Sequence, residues 1–393
     1  MTGTTPTARR ELVFWTATLL IAVDTILFTM VVPALPEFRD RFGFSDSTAA
    51  LIFAAFPAGQ LVTAFIAAGL VERAGRRPVM IMAGLALTLA TLAFAAAETT
   101  PLLALARAAQ GLAGGLVWTA GIAAISDTYP AGQLGFRIGL AETAGGGIGL
   151  LGPLIGGVLV DAVGLDATFL LAAILPALLL VPTLMVPETR RTRVDAPRLL
   201  PAFARLARVP AARAATAGLG LLAGVLALVE PLLPLDLTDR LDLGSVAVGL
   251  VFSTGMLMLF VASPLAGRWS DRHGRRAPLV LGPLLVAAGL PFMGSGPAWF
   301  VAVAFALVGV GLGCCSAPTG PLMVRAVDEA GMHGQYGLSS AVLTVVFSLG
   351  YLAGPVLGAG ARAILPFTAT LAIAAAIAVA VAAYTSRTLR PGG

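Results

Sequence analysis

Apolar residues in this chain come in runs of about twenty, broken by short segments rich in glycine, proline and arginine. A window of that length marks apolar helices at about 12–34, 48–70, 78–96, 101–124, 135–160 and 166–186. A second set follows at about 214–235, 245–267, 277–294, 299–324, 337–361 and 364–384. A helix rises ~1.5 Å per residue and a bilayer core is ~30 Å thick, so each run is long enough to cross. Twelve such runs predict an all-α integral membrane protein. The longest polar stretch, 187–213, reads as a linker between a six-helix half at 1–186 and another at 214–393.

Composition agrees: 58% of the residues are hydrophobic and only 11% are charged, which excludes an ordinary soluble enzyme. All 25 basic residues are arginine. Placed on alternate sides of twelve spans, 20 of them fall with the two termini, Arg39, Arg41, Arg240 and Arg362 fall opposite, and Arg107 lies inside a span. The positive-inside rule then puts both termini in the cytoplasm. The first apolar run, after Arg9 and Arg10, is too long for a cleavable signal peptide and lacks a small-residue cleavage site. Seven arginines crowd the linker, whose RLLPAFARLAR segment reads either as an amphipathic helix on anionic lipid or as a topology-setting stretch.

Catalytic material is scarce. The two cysteines are the adjacent pair Cys314 and Cys315, the two histidines are His273 and His333, and no nucleophile elbow, H-E-x-x-H or P-loop occurs. The expectation is a non-enzyme without ATP drive, cofactor, metal or nucleic-acid partner.

The halves repeat one another. Pro33-x-x-Pro36 returns as Pro231-x-x-Pro234 at an offset of 198, Glu72-Arg73-Ala74-Gly75-Arg76-Arg77 as Asp271-Arg272-His273-Gly274-Arg275-Arg276 at 199, and Gly152-Pro153 as Gly354-Pro355 at 202. Duplication of this kind builds transporters whose site lies at the repeat interface. The two D/E-R-x-G-R-R loops resemble the signature of the major facilitator superfamily, over essentially the whole chain. That resemblance implies twelve spans in two pseudo-symmetric halves, with Glu72, Arg73, Gly75 and Arg76 and their partners Asp271, Arg272, Gly274 and Arg275 changing contacts between conformations. The first copy departs from the pattern at Glu72 and Ala68, the second at Trp269.

Two further segments extend the resemblance. Arg107-Ala-Ala-Gln110-Gly111 is similar to the superfamily's R-x-x-Q-G motif, whose arginine is linked to proton transfer. An arginine this deep in a span is expected to face an aqueous cavity or a carboxylate, the alternative being a side chain that snorkels to the interface. Gly152-Pro153-Leu-Ile-Gly156-Gly157 resembles the antiporter signature of drug exporters, although glycine-rich spans also serve plain helix packing.

Three intramembrane carboxylates carry the chemistry. Asp24 lies about 12 residues, or ~18 Å, into the first span. Glu230 sits in the seventh, and Glu142 in the fifth, where it serves proton coupling or answers Arg137 or Arg107. Such groups exchange protons or hold cations. The stretch Asp24-Thr-Ile-Leu-Phe-Thr-Met-Val-Val-Pro-Ala-Leu-Pro, together with LALVEPLLP through Glu230 and the eleventh span, resembles the vesicular monoamine transporters. On that resemblance Asp24 and Glu230 bind the amine, Arg107 is the fourth-span arginine, and Phe53, Phe347 and Tyr351 line the pocket. The family's second-span lysine and eleventh-span aspartate fall on Phe56 and Thr344, and its tenth-span aspartate on about Ser316, so its proton stoichiometry does not carry over. The sequence thus points to a monomeric proton-coupled exporter of lipophilic cationic or aromatic amines in a bacterial plasma membrane, driven by the proton gradient. Export of neutral or zwitterionic compounds, with the acids carrying protons only, is the alternative.

Overall fold

A computed structural model describes residues 6–149, 151–189, 199–332 and 336–389. Every regular element among them is helical, eleven helices are long and apolar enough to cross a membrane, and a shorter apolar segment covers Gly147–Val163. The chain divides into two compact units, one of Met1–Phe44 with Ala55–Ala196, the other of Ser45–Ala54 with Pro197–Gly393.

The first unit holds α1 (Pro6–Thr29), α2 (Leu35–Phe42), α3 (Asp46–Ala74) from Ala55 on, α4 (Arg76–Ala95), α5 (Thr100–Thr128), α6 (Ala131–Gly149), α7 (Gly152–Val163) and α8 (Leu165–Met185). Helix α1 packs on α5 and α6, and α4 on α5 and α8. The second unit holds α9 (Leu199–Leu206), α10 (Pro210–Leu241), α11 (Ser245–His273), α12 (Arg276–Gly289), α13 (Ala298–Ser316), α14 (Thr319–Glu329), α15 (Tyr336–Arg362) and α16 (Phe367–Thr388). There α10 packs on α15, α11 on α13, and α12 on α13 and α16.

Three runs expected as single helices are broken. The first span ends its α-helix at Thr29, passes through a 3₁₀ turn at Val32–Ala34 and resumes as α2. Pro33 supplies no N–H to the turn before it, and Pro36 sits in the first turn of α2, where none is needed. The fifth span splits into α6 and α7 where Pro153 follows a glycine-rich stretch. The tenth splits at Ala317–Pro318. In the second half the equivalent prolines, Pro231, Pro234 and Pro355, are carried inside unbroken helices. Within the linker, α9 turns Leu206, 2% exposed, and Phe203 onto a cluster formed with α14 and α15, so these two side chains pack on protein.

Candidate functional site

Asp24 stands on α1 and is 1% exposed. Its Oδ2 accepts a hydrogen bond from Trp118 Nε1 of α5 at 3.1 Å, while its Oδ1 has no hydrogen-bond partner among the described residues. Room for the carboxylate comes from Gly114, one helical turn before Trp118: a Cβ there would collide with Asp24 Oδ1 and lie 2.9 Å from Oδ2. Gly114 and Trp118 thus form a cradle, the one leaving space and the other donating. Arg107 acts on Asp24 through space as an attractive charge.

Arg107 itself is 1% exposed. Its Nη2 donates to Phe28 O at 2.7 Å and Nη1 to Leu27 O at 3.4 Å and to Gln110 Oε1 at 3.0 Å. Gln110 in turn donates to Thr91 Oγ1 at 3.1 Å. The guanidinium also lies over the rings of Phe56, Phe28 and Phe94 at 4.9, 5.3 and 5.9 Å. It therefore caps the carbonyl end of α1, where the helix breaks and a positive charge meets the negative end of the dipole. Its immediate surrounding is an aromatic cage, one wall of which is Phe56, and of the two expected neighbours, an aqueous cavity or a carboxylate, Asp24 supplies the carboxylate through space.

The glycine-proline segment presses α7 onto the end of α1. A Cβ on Gly156 would collide with Met30 O and lie 3.0 Å from Met30 Cα, and one on Gly152 would collide with Thr29 Oγ1. Gly157 and Pro153 are buried beside them. Glu142 lies on α6, but its side chain is outside the described residues. Arg137 is answered by Glu11, at 2.9 Å, and by the rings of Tyr129 and Phe14 at 4.5 and 4.9 Å. Burial raises the pKa of the Tyr129 hydroxyl, against the opposing charge of Arg137.

The first charged loop is a built cluster. Gly75, at φ 98°, makes the turn between α3 and α4. Arg76 meets Glu72 at 2.7 Å and Asp127 of α5 at 2.6 Å, and its backbone N–H and that of Arg77 donate to Glu188 at 3.0 and 3.2 Å. A carboxylate on the first two amides of α4 is the favourable end of that helix dipole. Arg73 is exposed. In the second loop Gly274, at φ 88°, closes α11, Asp271 and Arg272 are exposed, and Arg275 precedes α12. No ion pair joins these three charges among the described residues.

In the second unit Glu230 is 3% exposed, and its Oε1 accepts the Tyr351 hydroxyl at 3.0 Å. Phe347, one turn before Tyr351, places its ring 4.8 Å from the tyrosine and is 36% exposed. The α15 stripe reaches α10 because Gly354 leaves space, a Cβ there colliding with Gly224 O, and Pro355 is buried next to it. Phe53, fully buried on α3, groups with this same unit. Near the start of α3 and the end of α15, Asp46 meets Arg362 at 2.5 Å and Ser47 Oγ donates to Ala359 O at 2.9 Å.

Trp118, Thr91, Asp127 and Glu188 escaped the sequence reading. For Trp118 a signal exists: a tryptophan N–H inside a span needs an acceptor, and the glycine one turn earlier marks where that acceptor fits.

A family model described as Major Facilitator Superfamily matches residues 17–230 and 215–392. The tetracycline resistance protein, class C, of Escherichia coli is 34% identical over 134 residues, covering 33% of each chain. The multidrug resistance protein MdtL of Shewanella oneidensis is 30% identical over 98 residues, covering 25% of each. The chain thus spans a quarter to a third of the length of these curated relatives. A crystal structure of a bacterial homolog of the human lysosomal transporter Spinster, inward-facing and unoccupied, superposes with TM-score 0.73 over 98% of both chains at 15% identity, a likeness of fold. The matched residues take in both charged loops, the buried arginine of α5 and the glycine-proline helices of both halves, and the chain belongs to the Major Facilitator Superfamily.

Proposed function

We propose that the protein is a proton-coupled antiporter that exports lipophilic cationic or aromatic amines across a bacterial plasma membrane, as a monomer with both termini in the cytoplasm. The observation that carries this reading is Asp24: a carboxyl group 1% exposed, held by one indole N–H, with its second oxygen accepting no hydrogen bond among the described residues. Leaving a buried oxygen in that condition is costly, and evolution tolerates it in a membrane where the group exchanges a proton or a cation. When the carboxyl loses its proton, Trp118 and the through-space charge of Arg107 stabilise the anion. When a cation or a proton arrives, the bare oxygen receives it. Glu230, with Tyr351 donating and Phe347 beside it, offers the second half's version of an anion framed by aromatic faces, suited to an aryl amine.

The charge of Arg107 beside Asp24 favours a second reading, in which the acids carry protons only and the exported compound is neutral or zwitterionic. One experiment tests the coupling on which both depend. In inverted vesicles an imposed pH gradient is expected to drive uptake of a cationic dye, and Asp24→Asn to abolish it with protein level unchanged. Wild-type uptake by Asp24→Asn overturns the role given to Asp24. Uptake of a neutral drug in preference to its cationic analogue selects the second reading.

A further inference from the structure

Helix α11 carries an apolar stripe that the transport reading does not use. Met258, Val261, Ala262, Leu265, Ala266 and Trp269 recur at intervals of three and four, so they share one face, and they line a groove of about 380 Å³ whose other walls come from α12 and α13. The groove wall is almost wholly apolar and lies along spans long and apolar enough to cross a bilayer, so hydrocarbon is the solvent that meets it.

One end of the groove is different in character. Trp269 ends the stripe, and tryptophan settles where hydrocarbon meets headgroups. The same face continues, at the same spacing, to Arg272. Exposed Arg268 precedes Trp269, and beyond the Gly274 turn Arg275 and Arg276 open α12. Between positions 268 and 276 four arginines stand against one acid, Asp271. An apolar trough that runs into an aromatic belt and then a net positive rim matches an acyl chain leading to a negative headgroup.

We infer that this groove binds an anionic phospholipid, one acyl chain lying along α11 between α12 and α13 and the headgroup phosphate on Arg268 and Arg272. The occupant is a lipid of the surrounding leaflet. The charge of the rim makes it an anionic one.

Trp269 is a built-in reporter. Phosphatidylglycerol or phosphatidylcholine brominated on one acyl chain, titrated into the detergent-solubilised full chain, quenches tryptophan fluorescence on contact. The part of the quenching that Trp269→Phe removes measures occupancy of the groove. Phosphatidylglycerol is expected to act at least fivefold more tightly than phosphatidylcholine. Each arginine removed, by Arg268→Gln or Arg272→Gln, is expected to lower its affinity about fivefold, leaving phosphatidylcholine unmoved. Ala266→Phe, which fills the trough, is expected to weaken both lipids. Equal quenching by the two lipids, or an anionic preference untouched by both arginine variants, overturns the inference. So does quenching that Trp269→Phe leaves intact, and so does a crosslinked dimer that protects Trp269, which would make the face an interface between copies.

Discussion

At the scale of single residues, Asp24 and Arg107 of the first unit each make hydrogen bonds with neutral groups: an indole N–H for the acid, backbone carbonyls and a glutamine for the arginine. Gly114 is the smallest of these devices. A methyl at that position meets Asp24 Oδ1 and stands 2.9 Å from Oδ2, so Gly114→Ala must push the carboxylate off Trp118 or part α1 from α5. Overpacking of this order costs ~1–3 kcal/mol. The variant is expected to insert normally, melt at a lower temperature and lose most proton-driven uptake. A fully active Gly114→Ala would show that Asp24 does not need its cradle. Arg107 poses the complementary question. If it acts by capping the carbonyls of Leu27 and Phe28 with two arms of its fork, a lysine cannot replace it, because a single ammonium lacks the planar geometry. Each buried carbonyl left without its donor costs ~1–3 kcal/mol. Arg107→Lys and Arg107→Gln are therefore both expected to lower the thermal midpoint of the detergent-solubilised protein, and a lysine variant as stable as wild type would leave charge alone as the function of this position.

At the scale of elements, one motif gives two outcomes. Pro33-x-x-Pro36 breaks the first span, whereas Pro231-x-x-Pro234 rides within α10. The difference is legible only across helices: 198 residues beyond Arg107 stands Phe305, which packs on Phe252 at 5.3 Å and has no cation to offer the carbonyls of a broken helix. A span-length window sees twelve apolar runs and their repeat. It cannot see that an arginine on another helix caps the break in one half, or that Phe305 stands at the corresponding place in the other. The glycines are the opposite case, since Gly152 and Gly156 are legible as contact points and the structure supplies only the surface they touch, Thr29 and Met30 of the first span. Gly156→Leu must therefore drive α7 away from the end of α1. Leucine is favourable in lipid, so insertion and expression are expected to hold while turnover falls by tenfold or more. Normal transport at normal expression would reduce the motif to packing that tolerates a bulge.

At the scale of the whole molecule, the repeat shares architecture and divides chemistry. Counted at the 198-residue offset, Asp24 corresponds to Leu222 and Glu230 to Val32, so neither acid has a charged counterpart in the other half. The first charged loop is tied to Asp127 and Glu188, whereas among the described residues no ion pair joins Asp271, Arg272 and Arg275 in the second. The duplication was legible from three landmarks, because prolines, glycines and loop arginines are punctuation that survives at fixed spacing. The division was not, because it rests on pairs such as Glu230 with Tyr351 that stand 121 residues apart and meet only in the fold. That pair makes selectivity testable within one half. Tyr351→Ala removes both a ring and a donor to Glu230, so it is expected to weaken cationic and neutral aromatic ligands both, the cationic ones more. Tyr351→Phe keeps the ring that lies 4.8 Å from Phe347 and removes the hydroxyl alone, so its loss is expected to fall on cations only. Glu230→Gln takes away the charge itself. A hydrogen bond to a charged group contributes ~1.5–3 kcal/mol, so this variant is expected to lose about tenfold to a hundredfold in affinity for a cation and little for its uncharged isostere. Binding of one such ligand pair to the three variants decides between the two transport readings: a cation-specific loss ties Glu230 to the ammonium group, and equal losses for the two ligands assign the acid to protons and promote export of neutral compounds.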